Sequence, residues 1–584
     1  MRFPQPEQMA SKPGSAFLVL AWQELTDTGT PPIFKPRVHH AVSILREVSA
    51  VAQQATEDER WKRHLPHVVA EAKWLCEHDP VVNTQPRFAH DVKLVWREQD
   101  PSSMARIARV AADSFNYAAT VRSLLAREIT SAQTLNVQRK AAVQTLLALL
   151  ATELNLSGVL SRSFGHLDAS WMERDAPDIS IELSGLLERP VGSWRVFMNF
   201  GAAQGAGELR VVCDEVGLRR ARKAELPAGQ TTVTGDAFII QRDVEAISAS
   251  GAAALVAAEV RRALDLASFY HRKVVASLPS TVIVVRGAQV QNVDLHAYST
   301  ISLREPADAR DKFRSTIKRF GDDAYTRVAI AIEQYALSVA SADPRIKLLN
   351  LWSGLESFVG GGSGSSIIQR VVDTVVPVLA SRTVDQLVRY VSISVHRDRQ
   401  LSMARGNPSA FSTTGSFPKT AQSERVWPEE ITLALCSKDS APPILELFSA
   451  IGHHPLLRNR VRTLWETFSD PKKLAGKIER SRNTLDWQLR RIYRARNMMV
   501  HRGESAVALG TLVEHLELYF DLTISRVIHD LNRNVTWTVD DCFTHRRMSY
   551  DWLVTALKSG RSGDLRMDDL ISDAKILSDR PLWL

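Results

Sequence analysis

Two hydrophobic periodicities alternate along the chain, and this alternation constrains the fold more than any other feature. Apolar residues recur every three to four positions in Val38–Ala55, Met104–Ile129 and Val137–Leu154. From about Ile179 to Leu303, short apolar runs broken by Gly, Pro and Asp replace that spacing, with one helical segment at Ala252–Val275 between them. A 3.6-residue period indicates amphipathic helices, whereas short β-branched runs bounded by turn residues indicate strands.

A second helical region follows the β-rich stretch. Asp343 and Pro344 have the residue types preferred at the N-cap and first position of a helix. The predicted helices of this region are Ala324–Ala342, Asp343–Gly360, Ile367–Arg382, Lys477–Val500 and Ser505–Arg533, and the predicted loops are Gly360–Ser366 and Arg405–Glu424. The predicted strands of the middle stretch are Ser193–Phe200, Glu208–Cys213, Thr231–Ile240 and Ser280–Val290.

A chain of 584 residues is too long for one hydrophobic core. We therefore predict a multidomain α+β protein. Its predicted parts are a mainly helical region at 1–165, a mixed α/β or β-rich module at 166–305, a helical bundle with an insertion at 320–532, and an extension at 533–584.

Composition excludes several classes of protein. No apolar run reaches the roughly 20 residues that span a bilayer, and the N-terminus lacks a basic segment leading into an apolar one. We therefore expect no membrane association, no signal peptide and a cytoplasmic location. The four cysteines, Cys76, Cys213, Cys436 and Cys542, are far apart and form no CxxC pair. Their spacing predicts neither a disulfide framework nor a zinc site, and we expect no cofactor or metal.

Positive charge is concentrated in one window. The chain carries a formal net charge of +8, and residues 451–500 hold twelve Lys and Arg against four Asp and Glu, an excess equal to that of the whole chain. Such a window is either the solvated face of helices or a surface that contacts nucleic-acid phosphates. Within and just after it, Arg490, Arg491, Arg494 and Arg502 are candidate RNA-binding residues.

An arginine interrupts the apolar stripe of the helix that ends this window. The stripe consists of Leu485, Leu489, Ile492, Arg496 and Met499, spaced by four, three, four and three residues. A guanidinium at such a position must be paired, hydrogen-bonded or open to a cleft, because burying it alone would cost several kcal/mol.

Two polar residues accompany Arg496. Asn497 and His501 are four residues apart and share one helix face to within roughly 40°, whereas Arg496 lies about 140° around the axis from His501. Gly503 is expected to end the helix just after His501. The residues alone leave two interpretations open. Arg496 pairs with a buried acid such as Glu356, or it holds a phosphate beside His501.

The motif RNMMVH has the R-x4-H pattern with a polar residue directly after the arginine, and it resembles the signature of the HEPN superfamily. The longer segment IYRARNMMVHRGE is similar to the form typical of the ApeA-like branch. The earlier segment RIKLLNLWSGLESF resembles that branch's W-x-x-L-E helix, with Trp352, Leu355 and Glu356 in the matching positions. About 140 residues separate the two motifs, which is longer than a minimal bundle and implies an insertion.

This resemblance implies a helical bundle that forms a homodimer with a composite cleft and cleaves RNA without a metal ion. The 2′-hydroxyl would attack the adjacent phosphate, with His501 as general acid or base, Arg496 stabilising the phosphorane charge and Asn497 orienting either group. Glu356 would position Arg496 or form a purely structural pair with it.

The resemblance also implies partners and a biological setting. The substrate would be tRNA or mRNA, and a phage- or nucleotide-derived trigger would act through the N-terminal region in an antiphage or toxin-like defence. A non-catalytic RNA- or nucleotide-binding HEPN scaffold is the main alternative, and a helical interaction protein with a structural arginine is the third.

Overall fold

The structure is a computed structural model. It describes residues 12–26, 30, 34–35, 37–130, 137–156, 171, 174–186, 192–199, 213–214, 218–222, 225–227, 239–246, 248–270, 279, 281–294, 320–341, 343–360, 366–404, 428–437, 442–451, 454–502 and 509–571. Within these ranges the chain is a mostly helical α+β protein with one small antiparallel sheet, as the sequence predicts. Most of the predicted strands Glu208–Cys213 and Thr231–Ile240 and the predicted loop Arg405–Glu424 lie outside the described residues.

Helices that precede the sheet form an N-terminal helical layer around one hydrophobic core. They are α1 (Pro13–Thr26), α2 (Ala41–Glu57), α3 (Glu59–Lys62), α4 (Leu65–Glu77), α5 (Pro80–Asn83), α6 (Pro86–Arg97), α7 (Pro101–Asp113), α8 (Tyr117–Thr130), α9 (Val137–Leu156) and α10 (Ala176–Gly185). Ile179 and Leu183 of α10 belong to this core, so the helical layer continues past residue 165.

One predicted helix of this layer is divided in two. The spacing predicts a single helix over Met104–Ile129, but α7 ends at Asp113 and α8 begins at Tyr117. The Asn116 side chain accepts a hydrogen bond from the backbone N–H of Ala119 at 3.1 Å. This is the local bond that favours asparagine at a helix start over a helix interior.

Five antiparallel strands form the sheet in the order β2-β3-β1-β4-β5. They are β1 (Gly192–Asn199), β2 (Arg219–Ala221), β3 (Ile239–Ala246), β4 (Thr281–Arg286) and β5 (Gln289–Asp294). Helix α11 (Ala249–Tyr270) covers the face that includes Trp194 and Val196. The predicted strand Ser280–Val290 is in fact a hairpin, because Gly287 turns the chain at a φ of 59°.

A C-terminal bundle contains the remaining helices. They are α12 (Asp322–Ala340), α13 (Pro344–Val359), α14 (Ile367–Ser381), α15 (Thr383–Ala404), α16 (Pro428–Cys436), α17 (Pro442–Ile451), α18 (Pro455–Phe468), α19 (Pro471–Arg502), α20 (Leu509–Arg533), α21 (Val539–Lys558) and α22 (Met567–Leu570). The predicted cap of α13 is confirmed, since Asp343 accepts the N–H of Arg345 at 2.8 Å. Residues as far as Ile571 share the core that contains Ile492, so the segment after 532 packs within the bundle.

The N-terminal layer and the bundle are in direct contact. Phe34 and Val38 belong to the core of the bundle, and Leu456 of α18 belongs to the core of the N-terminal layer. Glu24 of α1 pairs with Arg460 of α18 and accepts the hydroxyl of Tyr390 from α15. Among the described residues, no helix is long and apolar enough to cross a membrane.

Candidate functional site

Helix α19 carries the R-x4-H motif and is longer than the sequence predicts. It begins at Pro471, where the Asp470 side chain accepts the backbone N–H of Lys472 at 2.9 Å, and ends at Arg502. A rotation of 100° per residue divides its residues among three faces that meet different parts of the molecule. One face meets the bundle, one meets the N-terminal layer, and one lies between them.

The face towards the bundle is the apolar stripe with the interrupting arginine. Leu489 and Ile492 are fully buried and Leu485 is nearly so, whereas Met499 is half-buried against the same core. Arg496 is half-buried near the end of this stripe. Its Nη1 donates a hydrogen bond to Oδ1 of Asn497 at 3.1 Å, and no acid of the described residues lies within ion-pair distance of it.

The face towards the N-terminal layer consists of Trp487, Arg491, Arg494 and Met498, which recur at four, three and four residues. Trp487 contacts Trp74 of α4 with ring centroids 5.7 Å apart. Met498 packs on the N-terminal core. Two charged residues between these apolar contacts require partners, and the N-terminal layer supplies them.

Glu47 of α2 is the main partner. Its Oε1 accepts from Nη2 of Arg494 at 2.5 Å, and its Oε2 accepts from Nε of Arg491 at 3.1 Å and from Nε2 of His39 at 3.0 Å. Glu71 of α4 accepts from Nη2 of Arg491 at 2.7 Å. Burial alone would raise the pKa of Glu47, but Arg491 and Arg494 outweigh it and hold that pKa well below its usual range. The carboxylate is therefore ionised at neutral pH.

The third face lies between the two layers and contains Asp486, Arg490, Tyr493, Asn497 and His501. Arg490 is tied down, because its Nε donates to Asp486 at 2.7 Å and its Nη2 to Gln369 of α14 at 2.8 Å. Tyr493 is half-buried, Asn497 is half-buried and His501 is exposed. Arg496 and His501 are separated by about 7.5 Å along the axis and about 140° around it, so one copy of the helix directs them to well-separated sides of its last turns.

The candidate RNA-binding arginines do not occupy the surface that we expected. Arg490, Arg491 and Arg494 are only 5%, 6% and 4% exposed, and all three are paired with acids. In this arrangement their guanidinium groups are not available to an RNA backbone. The side chain of Arg502 and residues 503–508, which include the predicted helix breaker Gly503, lie outside the description.

The exposed charge of the basic window is found elsewhere. Its exposed cations are Arg458, Arg462, Lys472, Lys473, Arg480 and Arg482. Arg482 is nineteen residues before His501, which corresponds to about 28 Å along the helix. The window therefore divides into an exposed basic end and a neutralised end, and the motif lies at the neutralised end.

Glu356 lies near the site but does not contact Arg496 in the described structure. Its Oε1 accepts Nε1–H of the buried Trp352 at 2.5 Å. The Trp352 ring in turn lies 5.5 Å from that of Tyr493. Glu356 therefore orients a tryptophan that contacts the helix of the motif, and its predicted direct pairing with Arg496 is not seen.

Two histidines of the N-terminal layer lie close to the third face. Burial, and to a smaller extent Arg494, lower the pKa of His64 to about 4. The pKa of His67 is also lowered, chiefly by burial and by Arg490. Both imidazoles are therefore neutral at pH 7. His64, Glu47 and Glu71 had no signal in the sequence analysis, whereas Tyr493 belongs to the quoted segment IYRARNMMVHRGE but was assigned no role.

The part of the chain that the structure describes contains no group of three or more His, Cys, Asp and Glu arranged to hold a metal ion. All four cysteines are buried and unpaired with one another. No protein-family model, curated protein or solved structure matches the chain. The resemblance to the HEPN superfamily thus depends on the sequence motifs alone.

Proposed function

We propose that this protein is a HEPN-type endoribonuclease whose site is formed by Arg496, Asn497 and His501. The observation that carries the proposal is that four arginines in the C-terminal half of α19 differ in burial and in pairing with acids. Arg490, Arg491 and Arg494 are buried and neutralised by acids, whereas Arg496 is half-buried, has no acid partner in the described residues and is held by Asn497. A guanidinium with no acid partner among the described residues, at the same end of the helix as an exposed histidine, suits a phosphate.

In the proposed reaction the ribose 2′-oxygen attacks the adjacent phosphorus, and the bond from phosphorus to the 5′-oxygen breaks. A base takes the proton of the 2′-hydroxyl and an acid protonates the 5′-oxygen, which leaves a 2′,3′-cyclic phosphate and a 5′-hydroxyl. His501 would serve as one of these groups. Arg496 would stabilise the negative charge of the phosphorane, and the Asn497 hydrogen bond would fix the guanidinium in position.

The dimer, the defence role and the trigger are part of the proposal through the family resemblance. A second copy of α19 would supply the second histidine, since one His501 cannot remove one proton and deliver another in the same step. The exposure of His501 at the end of α19 leaves it accessible to such a partner. The candidate substrates are tRNA and mRNA.

The test is cleavage of mixed tRNA and mRNA in the presence of EDTA by the wild type, His501→Ala and Arg496→Ala. We expect the wild type to produce 2′,3′-cyclic phosphate ends. Both variants should lose at least about a hundredfold in rate, His501→Ala by losing a general acid or base and Arg496→Ala by losing the charge that stabilises the phosphorane. His90→Ala is a matched control, because His90 is also an exposed helical histidine and lies on α6, away from the site.

Equal cleavage by the wild type and His501→Ala would place the activity elsewhere. If the wild type binds RNA tightly but leaves it intact, with or without extracts of infected cells, the non-catalytic scaffold is the correct reading.

A further inference from the structure

Tyr493 is held between the two helical layers of the molecule. Its ring centroid lies 6.0 Å from that of His64 in the N-terminal layer and 5.5 Å from that of Trp352 in the bundle. His64 is itself supported by Trp61 at 5.5 Å, and Trp352 is fixed by its hydrogen bond to Glu356. The ring of Tyr493 is therefore constrained from both sides, by elements distant in sequence.

The hydroxyl of Tyr493 differs from those of three other tyrosines, each of which donates a hydrogen bond to a side-chain oxygen. Tyr117 donates its hydroxyl to Asp79 at 2.6 Å, Tyr390 donates to Glu24, and Tyr519 donates to Gln488. For Tyr493, which is half-buried, no hydrogen-bond partner of the hydroxyl is found among the described residues. A phenol with a fixed ring and a free hydroxyl is an available hydrogen-bond donor.

The position of that donor is set by the helix. Tyr493 precedes Arg496 by three residues and Asn497 by four, and side chains at these spacings are neighbours on a helix surface. Asn497 and Tyr493 lie on the third face of α19, and Arg496 reaches that face through its hydrogen bond to Asn497. Asp486 on the same face is already engaged by Arg490, and Glu356 is engaged by Trp352.

We propose that Tyr493 is a substrate-contacting residue that donates its hydroxyl to a phosphate oxygen of the RNA bound by Arg496. This inference depends on the proposed function and deepens it. It adds a neutral hydrogen-bond donor to the site, and it makes the N-terminal layer part of the site through the contact with the Tyr493 ring. His64 acts as a positioning residue, since it contacts the Tyr493 ring and contributes no charge of its own at neutral pH. A hydroxyl donated to an ionised phosphate is among the stronger hydrogen bonds in proteins.

Tyr493→Phe tests this directly, because phenylalanine keeps the ring between His64 and Trp352 and removes only the hydroxyl. We expect kcat/KM for RNA cleavage to fall about ten- to hundredfold, the effect of losing one hydrogen bond to a charged group. In the His501→Ala background, the dissociation constant for uncleaved RNA should rise by at least about fivefold on adding Tyr493→Phe. The melting temperature should stay within about a degree of the wild type.

Tyr519→Phe is the matched control, because it removes a hydroxyl that is already bonded to Gln488 on the same helix α19. It should lower the melting temperature and leave the RNA dissociation constant unchanged. If Tyr493→Phe cleaves and binds RNA as the wild type does while His501→Ala is inactive, the role of Tyr493 is refuted and the nuclease proposal stands. If the wild type neither binds nor cleaves RNA, both are refuted.

Discussion

The carboxylate of Glu47 pairs with both Arg491 and Arg494 and so joins the N-terminal layer to the motif helix twice, which makes Glu47→Gln an informative perturbation of the fold. It keeps the shape of the side chain and removes its charge. Arg494 would then have no acid partner among the described residues, whereas Arg491 would keep Glu71.

The expected magnitude follows from the burial of this cluster. Breaking a buried ion pair by removing one partner typically costs about 3–5 kcal/mol, because the other charge stays buried and uncompensated. The Glu47 side chain is 17% exposed and glutamine retains a hydrogen-bond acceptor, so we expect a loss of unfolding free energy near the lower end, about 3 kcal/mol. Glu71→Gln should cost about 1–2 kcal/mol, since Arg491 would still be paired with Glu47.

The assay is urea unfolding at pH 7.5 followed by circular dichroism, with Glu466→Gln as the control. Glu466 pairs with Arg462 in an exposed i, i+4 arrangement on α18, and such a pair contributes less than about 1 kcal/mol. The double variant Glu47→Gln, Arg494→Gln should recover part of the loss, because it removes the unpaired charge. If Glu47→Gln lowers the unfolding free energy no more than Glu466→Gln does, the Glu47 cluster does not stabilise the fold and the role assigned to the N-terminal layer is wrong.

Three further predictions concern other parts of the bundle. Gly354→Ala should destabilise the protein by about 1–2 kcal/mol, because an added Cβ would lie 2.5 Å from Cε2 of the buried Phe520. Gly476→Ala should stabilise the protein by up to about 1 kcal/mol, because an added Cβ there would meet no other atom within 4 Å. Urea unfolding of the two variants measures both effects. Burial lowers the pKa of His515 to about 4 from 6.5, so the unfolded chain binds its proton first and stability falls as pH drops from 6.5 towards 4. At pH 5 this histidine should cost about 2 kcal/mol relative to pH 7.5, and His515→Leu should show a correspondingly weaker pH dependence of urea unfolding. Arg496→Lys should leave the unfolding free energy within about 1 kcal/mol of the wild type while it abolishes RNA cleavage, because an ammonium group cannot reproduce the planar fork of a guanidinium; a full loss of stability instead would assign the arginine a structural role.

Features that depend on neighbouring residues were predictable from the sequence. The start of α13 at Pro344 follows from Asp343, and the sheet follows from the short β-branched runs. The interrupted stripe of α19 is present as predicted, with Leu489 and Ile492 buried and Arg496 half-buried. Local errors, such as the break at residues 114–116, arise where a single side-chain hydrogen bond outweighs a continuous apolar spacing.

Features that depend on distant residues were not predictable. Glu47 lies 444 residues from Arg491 in the chain and 447 from Arg494, and no periodicity relates them. A count of charged residues in a segment gives its net charge but does not show towards which surface each side chain points. The same excess that suggested an RNA-binding surface around the motif includes three arginines directed into a protein interface.

The direction of those arginines changes how the N-terminal layer relates to the proposed nuclease. A sensor that acts at a distance would leave the motif helix complete on its own. Here the layer neutralises Arg491 and Arg494 through Glu47 and Glu71, and it presents His64 to the ring of Tyr493. Removing the layer would separate two guanidinium groups from their acids and expose the apolar contacts of Trp487 and Met498 to water. Any trigger that works through this layer must therefore act on the same contacts that shape the site, so regulation and catalysis would share residues.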